Sequence, residues 1–277
     1  MSRRYSKKKY IKLWWKMIYD AVWILALVLV GFGIGLLVSI FGGGGGFFYV
    51  PILTLLFGVP TQFAVSTSLA SIIPTTLVGS ISHYRMRNVN IRIGITFGIG
   101  GIIGALIGAY ISSLLSPSLL GRLFGLFMII LSIPMLLSVK QRVKNVDTER
   151  ATPPLTKKRI MTGAVFGILS GSMAGLFGLS GTPPVMAGLY IMGLPAATVV
   201  GTSLFVLFFN AVFGLAGHLV LGQIDLVLTL FLALGATAGA FLGPRFLGKA
   251  KNSTLEKIYG PLFTVMVFAI GLIMIFG

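Results

Sequence analysis

Gly58–His83 reads GVPTQFAVSTSLASIIPTTLVGSISH, and Gly193–His218 reads GLPAATVVGTSLFVLFFNAVFGLAGH. Set against each other at an offset of 135, eight of the 26 positions are identical: Gly58/Gly193, Pro60/Pro195, Val65/Val200, Thr67/Thr202, Ser68/Ser203, Leu69/Leu204, Gly79/Gly214 and His83/His218. The same offset pairs Gly43 with Gly178, Gly46 with Gly181 and Asn90 with Asp225, and it pairs Gly100, Gly104 and Gly108 with Gly235, Gly239 and Gly243. A match that runs without a gap marks an internal duplication. The charged segment 140–159, with Pro153-Pro154, separates the copies and reads as a linker.

Both copies are too apolar for water. The chain of 277 residues is 56% hydrophobic and 10% charged, where soluble domains carry about 25% charged residues. Lipid must therefore solvate much of its surface. Runs long enough to cross the bilayer lie at 21–41, 62–83, 93–113, 119–139, 160–178, 196–219, 226–246 and 258–276. The run 21–41 is longer than the core of a cleavable signal and leads directly into the first copy, so it reads as a retained span. Two apolar pieces, 47–57 and 183–192, are too short to cross and read as half-helices or as parts of broken spans. The expected fold is an all-α polytopic membrane protein of about eight transmembrane helices. It comprises a basic tail 1–20, a first four-helix repeat 21–139, the linker 140–159 and a second repeat 160–277. Four spans per half is an even number, so the halves are expected to share one orientation about an axis along the membrane normal.

Charge placement argues for the membrane and against nucleic acid. The net charge of +17 comes from basic residues that flank apolar runs, as orientation signals do. With eight spans and a cytoplasmic N-terminus, 17 basic residues fall inside, in 1–20, 84–92 and 140–159. Five fall outside: Arg122, Arg245, Lys249, Lys251 and Lys257. The expected location is the plasma (inner) membrane, with tail and linker both cytoplasmic. The cluster 245–257 is then on the wrong side. No acidic residue sits mid-span, and the absence of Cys excludes disulfides and thiolate chemistry. No metal site and no cofactor are expected.

The candidate site lies at the breaks. Gly42–Gly46 interrupts an apolar run, and each glycine costs roughly 1 kcal/mol of helix propensity relative to Ala. The second break runs Gly178-Leu179-Ser180-Gly181-Thr182-Pro183-Pro184. Proline in a first turn starts a new helix, whose free N–H groups suit an anion. The expected substrate contacts are Gly43, Gly44, Gly45, Thr67, Ser68, Ser180, Gly181, Thr182, Thr202, Ser203 and Asn210. The hydroxyls of Ser66-Thr67-Ser68 and Thr202-Ser203 fit helix capping equally well. His83 and His218 are the only histidines and are candidates for proton coupling. The i+4 glycines 100/104/108 and 235/239/243 read as helix packing.

Taken in order and in both halves, these motifs resemble those of the TauE/SafE family of sulfite and sulfonate exporters. The resemblance covers about 21–139 and 160–277. It implies a non-enzymatic multi-pass transporter of small sulfur-containing anions such as sulfite, sulfoacetate or another organosulfonate. The implied partners are that anion and the bilayer, with a homodimer left open. Two other readings stand beside it. One is an intramembrane serine protease using Ser180 of Gly-Leu-Ser-Gly with His218; the other is a membrane protein without transport activity.

Overall fold

The structure is a computed structural model that describes residues 21–41, 45–142, 156–220, 225–247 and 252–276. Its elements are α1 (Ala21–Phe41), α2 (Gly46–Pro51, running on into a π-helical turn Ile52–Leu56), α3 (Thr61–Arg85), α4 (Ile91–Leu114), α5 (Pro117–Arg142), α6 (Lys157–Phe177), α7 (Thr182–Ile191), α8 (Ala196–Val220), α9 (Leu226–Leu247) and α10 (Asn252–Phe276). Among the described residues there is no strand. All eight expected spans fall on long helices. The two short apolar pieces fall on α2 and α7, and α7, with ten residues, is only about 15 Å long.

Among the described residues α3, α4, α6 and α8 are long and apolar enough to cross a membrane. On α4 the outward positions Ile95, Ile99, Ile103 and Ile107 are exposed at a spacing of four, which makes one continuous lipid-facing stripe. Helix starts are capped where the sequence supplies a polar side chain. Asn90 Oδ1 accepts from Ile93 N at 3.1 Å, and Asp225 Oδ1 accepts from Val227 N and Leu228 N at 3.0 and 3.1 Å. These two caps are the Asn90/Asp225 pair of the 135-residue offset.

The helices pack chiefly as α1 with α9, α4 with α6, α5 with α10, α4 with α8, and α3 with α8. The first two contacts are made by glycine. A Cβ added at Gly100, Gly104 or Gly108 would lie 2.1–2.4 Å from the carbonyl oxygens of Ala164, Ile168 and Ser172. From the other side, a Cβ added at Gly167, Gly171 or Gly175 would lie 2.0–2.2 Å from Phe97 O, Gly101 O and Ala105 O. Gly31 and Gly35 approach Leu232 O and Ala236 O in the same way, while Gly235 and Gly239 approach Val28 O and Phe32 O. Backbones this close gain dispersion contact that any side chain would forbid. The glycine ladders are packing surfaces, as the sequence indicates.

These registers also give direction, and here the expected arrangement changes. Numbers rise together between α4 and α6 and between α1 and α9, so each pair is parallel. Gly79 packs on Leu204 while Gly214 packs on Leu69, so α3 and α8 are antiparallel. Gln62 Nε2 donates to Leu115 O at 2.8 Å, which puts the start of α3 at the end of α4. Asn90 N donates to Thr202 Oγ1 at 3.0 Å, which puts the start of α8 at the start of α4. The ring of Trp23, near the start of α1, meets that of Phe57, just before α3, at 5.1 Å, so α1 and α3 start at the same end with α2 returning between them, whereas α6 and α8 both start at the opposite end with α7 returning between them. The eight-span count treated α2 and α7 as neutral; because each one returns the chain, each half enters at one face and leaves at the other. The starts of α1 and α6 are thus at opposite ends of the bundle. The common orientation of the halves, and the shared side expected for tail and linker, do not follow. The tail 1–20 and the linker residues 143–155 themselves lie outside the described residues.

Candidate functional site

The second break is a run of left-handed backbone. Gly178 has φ 68°, Ser180 φ 58° and Gly181 φ 76°. Gly178 ends α6 with its N–H on Ala174 O at 2.8 Å. Ser180 is fully buried, and a side-chain-bearing residue in this region costs about 1–3 kcal/mol. Three helices hold it there. Ser68 Oγ of α3 donates to Gly178 O at 2.8 Å. Ser170 Oγ of α6 donates to Gly181 O at 2.7 Å. Asn210 Nδ2 of α8 donates to Ser170 Oγ at 2.7 Å and to Ser180 O at 3.3 Å. Side chains therefore take the break's carbonyls, and α7 starts immediately after it with Thr182, Pro183 and Pro184.

The first break meets the second. Gly45 has φ 78° and precedes α2. A Cβ on Gly46 would lie 2.2 Å from Gly178 O and 2.5 Å from Leu179 Cα. Gly43 and Gly44 lie outside the described residues. Around this contact three fully buried residues carry a polar atom with no hydrogen-bond partner: Tyr49 Oη, Thr67 Oγ1 and Asn210 Oδ1. Tyr49 is three residues past Gly46, and Thr67 precedes the Ser68 that binds Gly178. A buried polar atom left unpaired costs about 1–3 kcal/mol. Asn210 Oδ1 looks onto Gly101, where an added Cβ would lie 2.0 Å away.

The expected set therefore divides. Gly45, Thr67, Ser68, Ser180, Gly181, Thr182 and Asn210 belong to the break region, with Ser180 Oγ and Thr182 Oγ1 3.2 Å apart. Thr202 and Ser203 do not. Thr202 Oγ1 caps the α4 entry through Asn90 N, and Ser203 Oγ donates to Val199 O of its own helix at 2.7 Å. In the antiparallel α3/α8 pair, Thr67 is level with the residues near 216, so Thr202 lies about 21 Å away along the axis at 1.5 Å per residue. One small anion cannot touch both hydroxyl pairs. The shared motif hid this, because Thr67 and Thr202 lie on antiparallel helices.

The histidines are separated in the same way. His218 Nε2 is 2.8 Å from Gly175 O and the residue is fully buried. His83 backs onto Gly201, whose added Cβ would meet His83 Cβ at 2.9 Å. The Ser180–His218 dyad is not formed: Ser180 Oγ pairs with Leu179 O and Thr182 Oγ1. Sequence reasoning missed Ser170 and Tyr49. Their offset partners are Gly35 and Pro184, so a search for matched residues passes over both.

Touching helix breaks inside a bundle of apolar helices are a recurring feature of membrane transporters. The family model of the sulfite exporter TauE/SafE matches residues 27–274, and the chain belongs to that family. It is 30% identical over 223 residues to the probable membrane transporter protein YdhB of Bacillus subtilis (strain 168), covering 80% of this chain and 89% of that protein. It is 30% identical over 249 residues to YunE of the same organism, covering 84% and 91%. It is 28% identical over 255 residues to MJ0441 of Methanocaldococcus jannaschii, covering 87% and 92%. Both are also named probable membrane transporter proteins. No solved structure matches the chain.

Proposed function

We propose that this transporter carries a small sulfur-containing oxyanion, sulfite or an organosulfonate, past the contact between its two helix breaks. The observation that carries the reading is the set of unpaired buried polar atoms around that contact. Tyr49 and Thr67 each offer a hydroxyl donor with nothing to donate to. No Lys or Arg stands in the middle of a span, so an anion at that depth must rely on hydroxyls and on the N–H groups of Gly181 and Thr182, since Pro183 and Pro184 in the first turn of α7 carry none. A neutral donor set holds an ion loosely enough to release it.

The halves 21–139 and 160–277 are proposed as inverted repeats about an axis in the membrane plane, the arrangement in which rocking of one repeat against the other exposes a central site to each side in turn. The sequence around the α3–α4, α5–α6 and α9–α10 junctions contains 14 of the 22 basic residues: Arg85, Arg87, Arg92, the seven of 140–159, and Arg245, Lys249, Lys251 and Lys257. These junctions are proposed as cytoplasmic. The cluster 245–257 then falls on the basic side, and the start of α1 faces outward.

The test is flux in proteoliposomes. Uptake of sulfite and sulfoacetate should exceed that of a carboxylate of equal size. Tyr49→Phe and Thr67→Val should each weaken sulfonate binding about 10–150-fold, the equivalent of losing one hydrogen bond of about 1.5–3 kcal/mol to a charged ligand, and the double variant should weaken it further. Equal flux for the carboxylate overturns the substrate class. An unchanged affinity in the double variant overturns the site.

A further inference from the structure

One corner of the bundle concentrates cations. The register of α4 on α6, Gly100 on Ala164 and Gly104 on Ile168, runs back to bring Arg92 beside the start of α6, where Lys157 and Lys158 stand. The turn that leads into α4 carries Arg87 at φ 61°, and Arg85 ends α3. All five side chains are exposed, and none is paired with a carboxylate among the described residues. Arg159, one residue on, has a partner of its own and is not counted. The opposite ends of the same two helices, Ser112–Leu114 and Leu176–Phe177, carry no charge. Among the described side chains, Arg122 is the exposed cation at that opposite end.

The apolar band begins within a turn of these cations. Ile95 and Ile99 on α4, and Met161 and Val165 on α6, are exposed and face lipid. The five charges therefore stand at the depth of the phosphate groups. A soluble polyanion would need a surface standing clear of the bilayer, and this one merges directly into the lipid-facing stripe.

We propose that the corner formed by Arg85, Arg87, Arg92, Lys157 and Lys158 is a binding surface for anionic phospholipid headgroups. Each basic side chain at such a surface contributes about 1 kcal/mol, so each charge removed should weaken anionic-lipid binding roughly fivefold. The experiment uses the full chain purified in a neutral detergent, with phosphatidylglycerol, phosphatidylcholine or inorganic phosphate added and both melting temperature and retained lipid measured. Phosphatidylglycerol should raise the melting temperature and remain bound, while phosphatidylcholine should not. The triple variant Arg87→Gln, Lys157→Gln, Lys158→Gln should lose roughly a hundredfold in that binding. Arg122→Gln and the charge-preserving pair Lys157→Arg, Lys158→Arg should keep it. Equal stabilisation by phosphatidylcholine, full retention of phosphatidylglycerol by the triple variant, or the same shift from inorganic phosphate alone would each overturn the assignment.

Discussion

Asn210→Ala removes the side chain that ties α8 to α6 and to the second break. The wild-type carboxamide makes two hydrogen bonds, 2.7 Å to Ser170 Oγ and 3.3 Å to Ser180 O. Ser170 keeps its bond to Gly181 O, so the principal loss is at Ser180 O, left buried on a left-handed backbone. An unpaired buried acceptor costs about 1–3 kcal/mol. Interhelical hydrogen bonds measured inside membranes average only ~0.6 kcal/mol, with a maximum near 1.7. A loss of about 1–2 kcal/mol is therefore expected. The control is Ser203→Ala, also fully buried, whose hydroxyl bonds only to Val199 O of its own helix, a carbonyl the helix ladder already serves. Its change should stay within about 0.5 kcal/mol. The assay is reversible unfolding in mixed micelles together with sulfonate flux. Asn210→Ala should lose stability and at least tenfold in flux, since the break loses its tie to α8, while Ser203→Ala should match the wild type. Equal behaviour of the two variants would refute the reasoning, because the geometry assigns one side chain to the break and the other to its own helix.

Gly46→Ala places a Cβ 2.2 Å from Gly178 O and must push the two breaks apart; it should abolish flux, whereas Gly33→Ala, with nothing within 4 Å of its added Cβ, should be silent. Retained flux in Gly46→Ala would separate the breaks from transport. The chain has no Cys, so single cysteines report sidedness cleanly: in intact cells an impermeant maleimide should label Ser116→Cys, in the α4–α5 turn, and leave Asn88→Cys, in the α3–α4 turn, untouched. Labelling of both turns from outside would break the reading of α4 as a crossing helix.

Much of this fold was legible in the amino-acid order. Hydropathy placed all eight long helices, because a bilayer of fixed thickness imposes a length that no soluble core demands. Glycine and proline at 178–184 marked the interruption between α6 and α7, since neither supports a continuous helix there. The i+4 glycines identified the packing faces of α4 and α9, because close backbone approach excludes every larger residue. Direction was not legible. Whether a half-length helix such as α7 carries the chain onward or back depends on what it packs against, and α7 follows α6 only because Ser170 and Asn210 hold the turn between them. That single undecided element sets α8 antiparallel to α3. It sends Thr202 to the opposite depth from Thr67, although the two share a motif. It also brings forward Ser170 and Tyr49, which match nothing at the offset. Sequence similarity records which residues are equivalent; only the tertiary contacts decide which of them meet, because residues that share a motif can lie on antiparallel helices.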